Sequence, residues 1–76
     1  MNKQNKLYKV EVAGSILTRI TRGNTVEYKM LETTSTTQFT TYDVEKNAIR
    51  TIILTEEDIK EADERLWQFA KEIKRL

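Results

Sequence analysis

Between Leu7 and Leu54 apolar and polar residues alternate in short runs rich in Val, Ile, Thr and Tyr, the pattern of half-buried β-strands. The chain's two glycines, Gly14 and Gly23, fall between runs. After Leu54 the spacing changes to threes and fours: Ile59, Ala62, Leu66, Phe69, Ala70, Ile73 and Leu76 share one face of a helix. The pattern predicts strands near residues 7–13, 16–22, 25–32, 37–44 and 48–54, then one long C-terminal α-helix over 56–75. That is an α+β domain, an antiparallel β-meander of five strands with the helix packed on one face. Residues 1–6 carry no apolar run and are expected to form a flexible N-terminal arm on a single domain spanning 7–76.

The helix start is the clearest local signal. Thr55 can accept the N–H of Asp58 while Asp58 reaches back, a variant of the capping box. Glu56, Glu57 and Asp58 then fill the first turn, and Lys71, Lys74 and Arg75 the last, each suited to its end of the helix dipole. Glu61 and Arg65 are spaced for an i,i+4 ion pair.

Strand register follows from the loop lengths that keep apolar residues on one face, since a slip of one residue turns every side chain over. A three-residue loop Arg22-Gly23-Asn24 pairs Ile20 with Val26, Thr18 with Tyr28 and Ile16 with Met30, leaving Arg19 opposite Glu27. A two-residue Gly23-Asn24 loop is disfavoured because it sets Ile20 against Glu27. An even loop around Lys46-Asn47 pairs Val44 with Ile49 and Asp43 with Arg50. Odd loops over Glu32–Gln38 and Ala13–Ser15 then bring Tyr42, Tyr8, Val10 and Val12 to the same core face.

With 76 residues there is material for one hydrophobic core. Cys and His are both absent, which removes disulfides, thiolate or imidazole metal sites and His-dependent nucleophilic catalysis. The carboxylates Glu56, Glu57, Asp58 and Glu61 are accounted for by helix capping, and no glycine-rich phosphate loop exists. A non-enzymatic protein without cofactor or metal is expected. The net charge is +1, unevenly spread: residues 1–31 hold six basic and two acidic side chains, net +4, and residues 32–76 seven and ten, net −3. No stretch reads as a signal peptide or membrane span, so a cytoplasmic location is expected.

On the face opposite the expected core, the register lays out a charged row, Lys9, Arg19, Glu27, Asp43 and Arg50, read as solvated surface. Beside it, Leu31, Phe39 and Leu54, with Leu17 and Ile52, make an apolar corner that the helix does not cover. Such a patch marks an interface, and a core this small would gain from association, a homodimer being the simplest case. Trp67, at the edge of the helix stripe, either closes the core margin or anchors a partner. The expectation is a small protein-binding or regulatory module. Its Lys-, Asn- and Thr-rich composition suits an inhibitor or adaptor from a phage or mobile element of an AT-rich bacterium.

The alternative is a single-stranded nucleic-acid-binding domain, with Lys9, Arg19, Arg22 and Lys29 supplying phosphate contacts and Tyr8 and Tyr28 stacking platforms. Against it, the register buries both tyrosines and Glu27 interrupts the basic row. The Thr33–Thr37 tract could offer hydroxyls to phosphates, but reads first as a loop. A meander entering a single helix through Ile52-Ile53-Leu54-Thr55-Glu56-Glu57 resembles the single-stranded-DNA-binding domain of the positive cofactor four family. The resemblance covers that junction and lacks the family's basic, glycine-containing approach to the last strand.

Overall fold

The computed structural model describes residues 6–33 and 39–74. All five expected strands form, as β1 (Tyr8–Val12), β2 (Ser15–Arg22), β3 (Thr25–Glu32), β4 (Thr40–Asp43) and β5 (Ala48–Thr51). They are followed by a short helix α1 (Glu56–Ala62), a 3-10 helix (Glu64–Phe69) and an unforeseen sixth strand, β6 (Ala70–Glu72). Every pairing is antiparallel. Most of the proposed N-terminal arm and of the Thr-rich tract lies outside the described residues.

The sheet is not a meander. Its order is β4-β5-β2-β1-β6, with β3 also on β2. A strand has two edges. Ser15 and Ile16 pair with both β1 and β3, and residues 19–21 with both β3 and β5. Hence β3 runs along one edge of β2, while β1 and β5 divide the other between them. Among the described residues β4 meets β5 alone, which corrects the expected β3–β4 alignment.

Both turns around β2 are one residue shorter than the sequence reading has them. Val12 pairs with Ser15 across Ala13-Gly14, and Arg22 with Thr25 across Gly23-Asn24. Ala13 and Gly14 both have positive φ (52° and 82°), as a type I′ turn requires; Gly23 alone does in its turn (φ 55°), the type II′ pattern. These tight turns match the right-handed strand twist, and they set Ile20 opposite Glu27 and Arg19 opposite Tyr28. The rejected register is therefore the real one.

The two slips cancel across β2. Tyr8, Val10 and Val12 of β1 still share a face with Val26, Tyr28 and Met30 of β3, and β2 alone is turned over, offering Leu17, Arg19 and Thr21 to that face in place of Ile16, Thr18 and Ile20. Pattern could not reveal this, because Ile16, Leu17, Thr18 and Ile20 are all buried. The β4–β5 hairpin keeps its expected parity but slides by two residues. Tyr42 faces Ile49, and Asp43 faces Ala48 rather than Arg50. Asp43 instead accepts the Lys46 amide at 3.2 Å inside the turn.

The helix starts as expected. Thr55 Oγ1 accepts the Asp58 amide and Asp58 Oδ2 accepts the Thr55 amide, both at 3.1 Å, completing the capping box. It ends after seven residues instead of twenty, correcting the long helix. Asp63 adopts extended φ and ψ (−171°, 112°), and its carboxylate takes the Arg65 amide and guanidinium at 2.9–3.1 Å. Asp competes with the backbone in this way wherever a helix could continue. Arg65 is thereby drawn to Asp63 rather than Glu61. Beyond the break, Ala70–Glu72 gives β1 a partner for its outer edge, with Val10 opposite Ala70. Unpaired backbone groups along β1 outweigh the helical spacing.

The core lies between β1, β2 and α1. Val10, Leu17, Leu54 and Ile59 are buried together, with Tyr8, Val12, Tyr28, Ala62, Leu66, Trp67 and Ala70 packed around them. Burial of each such aliphatic side chain contributes roughly 1.5–3 kcal/mol. Leu54 reaches this core through a break in the strand. Thr51 pairs with Arg19 and Leu54 bridges Tyr8, so residues three apart share a face, which regular alternation forbids. At the break the Ile53 amide donates to Thr51 Oγ1 at 3.2 Å, a side-chain substitute for a ladder bond.

Candidate functional site

α1 covers only part of its face of the sheet. On that face one cross-strand row runs over four strands: Tyr42 on β4, Ile49 on β5, Thr21 on β2 and Val26 on β3. Tyr42 is 55%, Ile49 46% and Val26 52% exposed, large values for apolar groups aligned side by side. Met30, two residues along β3 from Tyr28, is also exposed on this face.

The row nearer the helix is polar and tied to it: Thr40, Thr51, Arg19 and Tyr28. Arg19 Nη1 donates to Asp58 Oδ2 at 2.8 Å, and the Tyr28 hydroxyl donates to Asp58 Oδ1 at 3.0 Å. With the Thr55 amide, three donors converge on one carboxylate at the first turn of α1. Burial of Asp58 would raise its pKa; the bonds from Thr55, Arg19 and Tyr28 together outweigh this and hold it below the ordinary carboxylate value. Burial of the Tyr28 phenol, reinforced by the bond to Asp58, pushes its pKa up to about 12. With Asp58 held ionised and the Tyr28 phenol held neutral at neutral pH, the cluster clamps the helix to the sheet.

A groove of about 360 Å³ follows this junction, with Arg19, Thr21, Val26 and Tyr28 on the sheet side and Glu57, Asp58 and Glu61 on the helix side. A second depression, bounded by Glu56, Glu57, Lys60 and Glu61, is formed by α1 alone and has no sheet floor. The apolar row therefore has an acidic border. Among the described residues no group of three or more acidic side chains is placed to hold a metal ion.

The residues singled out from sequence do not gather in one place. Leu17 and Leu54 belong to the core on the helix side, Leu17 because β2 is turned over and Leu54 because of the break after Thr51. Ile52 is buried, and its amide donates to the Phe39 carbonyl at 3.0 Å. Phe39 is exposed, and Leu31 is half-buried opposite Ile16. Trp67 is half-buried at the core margin, edge-on to Tyr8 with ring centroids 4.9 Å apart and the Lys60 ammonium 5.5 Å from its ring.

The four basic candidates are divided between the faces. Arg19 is on the helix side, held by Asp58. Lys9, Arg22 and Lys29 alternate to the other side, where Lys9 meets Glu11 at 3.8 Å and Lys29 meets Glu27 at 3.6 Å. This replaces the expected Arg19–Glu27 pair. Tyr8 and Tyr28 are partly buried against the core, as their parity required.

Sequence reasoning missed Val26, Tyr42 and Ile49 as surface. It placed them on the right face but counted that whole face as core, whereas they stand exposed. The available signal that the helix stops short was Asp63 followed two residues later by Arg65, a local cap inside the presumed helix.

No family model, curated protein or solved structure matches this chain. No helix among the described residues is long and apolar enough to cross a membrane.

Proposed function

We propose that the chain is a non-catalytic protein-binding module whose contact surface is the row Tyr42–Ile49–Thr21–Val26 with the groove beside it. The observation that carries this reading is the alignment of three exposed apolar side chains across four neighbouring strands. Scattered apolar side chains are ordinary surface, whereas exposed apolar side chains ranked across neighbouring strands, here joined through Thr21, with a polar rim mark an interface. Glu57 and Glu61 on the helix side of the groove favour a partner segment that is apolar on one side and carries Lys or Arg on the other. An inhibitor or adaptor role fits a module whose most distinctive described feature is an exposed apolar row. Nucleic acid takes second place, because Arg19 is separated from Lys9, Arg22 and Lys29 by the sheet and three of the four stand beside carboxylates.

The test is selection of peptides from a random displayed library on the folded chain, with Ile49→Asp as the counter-target. Enriched peptides should combine apolar and basic residues and lose binding to Ile49→Asp, whose circular dichroism should match the wild type. Equal retention by both proteins would sink the reading. A gel shift with single-stranded DNA over a salt series addresses the alternative, since phosphate binding weakens steeply with salt.

A further inference from the structure

Among the described residues β3, eight residues long, is an edge strand, a kind of edge that natural sheets tend to keep short. Among the described residues it pairs only with β2, and Val26 and Met30 beside its free edge are 52% and 40% exposed. Which backbone groups face outward follows from the turn. Arg22 and Thr25 flank a two-residue loop and form a hydrogen-bonded pair, so Glu27, Lys29 and Leu31 also direct their N–H and C=O groups to β2. The Thr33 amide, bonded to the Gly14 carbonyl at 3.0 Å, continues the same alternation. Val26, Tyr28 and Met30 therefore present theirs to the open edge.

The sequence along this edge, Val26-Glu27-Tyr28-Lys29-Met30, is complementary to itself when reversed. We infer that β3 pairs antiparallel with β3 of a second copy about a two-fold axis at Tyr28, making one continuous sheet through the dimer. Outward-facing residues must meet outward-facing residues, which limits the register to even positions opposite even positions. Centring between Val26 and Tyr28 sets Glu27 against Glu27; centring between Tyr28 and Met30 sets Lys29 against Lys29. The Tyr28 axis sets Tyr28 against itself in a hydrogen-bonded pair, Val26 against Met30 twice, and Glu27 against Lys29 twice. Directly opposed unlike charges favour a cross-strand pair and like charges disfavour it, so the charges select this register from its neighbours.

Glu27 and Lys29 already lie 3.6 Å apart within one chain, so the dimer closes a ring of four alternating charges on the face away from α1. On the other face, pairing Val26 with Met30 of the second copy joins the two exposed apolar surfaces across the axis. This association uses the backbone of β3 and charges on the opposite face, and it shares only the β3 end of the partner surface proposed above, Val26 and Tyr28.

The experiment is sedimentation velocity on the full chain over a concentration series, with the folding of each variant checked by circular dichroism. The wild type should dimerise, and Glu27→Lys and Lys29→Glu should each be monomeric, because each places like charges opposite one another. An equimolar mixture of the two variants should recover the dimer, as should the double variant Glu27→Lys/Lys29→Glu, in which every charge again has its opposite. A monomeric wild type, single variants that dimerise unchanged, or folded single variants whose mixture stays monomeric would each overturn the inference. Ile49→Asp should dimerise normally, which keeps this result separate from the peptide selection.

Discussion

One face of the sheet supports two different surfaces. Over β1 and the start of β2, Val10 and Leu17 meet Leu54, Ile59 and the segment from Ala62 to Ala70, and water is excluded. Over the end of β2 and across to β4, Val26, Ile49 and Tyr42 are of similar chemical type and share the same alternation, yet remain open. Nothing in the strands separates the halves; the difference is which part of the face α1 and the segment after it cover. An apolar residue facing the helix side is therefore core or exposed surface according to what lies over it.

The sharpest way to break this contrast is to truncate each half. Leu17→Ala should destabilise by about 2–5 kcal/mol, the range for burying a cavity in a small core, and a urea melt measures it. A cost below that range would mean that the covered half is less tightly packed than its burial implies.

Asp58 joins the two regions, so its removal should cost next most. Asp58→Asn leaves Arg19 and Tyr28 without their carboxylate, for about 1–3 kcal/mol. The pH profile gives a second reading. A carboxyl group with its folded pKa held below the ordinary ~3.9 stabilises at every pH above that value and loses the contribution as pH falls through its folded pKa. Tyr28 acts at the other end, since a phenol pushed up to about 12 stays protonated in the fold while the unfolded chain ionises near ~10. Stability should fall between those values, and thermal melts of Tyr28→Phe should lack that alkaline loss.

Removing the cap should act on the covered half through its helix. Thr55→Ala should cost about 0.5–2 kcal/mol in a thermal melt, because the Asp58 amide loses its acceptor. The smallest effect belongs to the open half: Ile49→Ala should change stability by no more than about 0.5 kcal/mol, as at other sites without buried contacts. A loss as large as that of Leu17→Ala would show that the row is packed in solution and close the distinction.

The strands were legible from sequence because alternation and turn residues marked each of them. The faces were harder to read. β2 is buried on both sides, so its own pattern carries no parity, and only the turn chemistry of Ala13-Gly14 and Gly23-Asn24 could set it. Pairing Ile20 with Glu27 looks costly in a pattern of faces, but Ile20 is buried all the same, with Arg50 on its other flank. The C-terminal segment misled for a different reason. Its spacing in threes and fours continues past Asp63, and neither the local cap nor the open edge of β1 is visible in a periodicity. The exposed row is hidden from any pattern reading that assigns the whole of one face to the core.

The pairing of β1 with β6 has a bearing on the order in which the chain folds. The β1–β2 and β2–β3 hairpins close within a few residues, whereas Val10 and Ala70 are brought together across almost the entire chain, and loop-closure entropy grows with the separation. During synthesis the first strand thus has one edge matched early and the other left waiting until Glu72 has emerged. Since β6 completes the sheet at β1, a chain halted in the helix would be left with a bare, hydrogen-bonding edge beside its forming core.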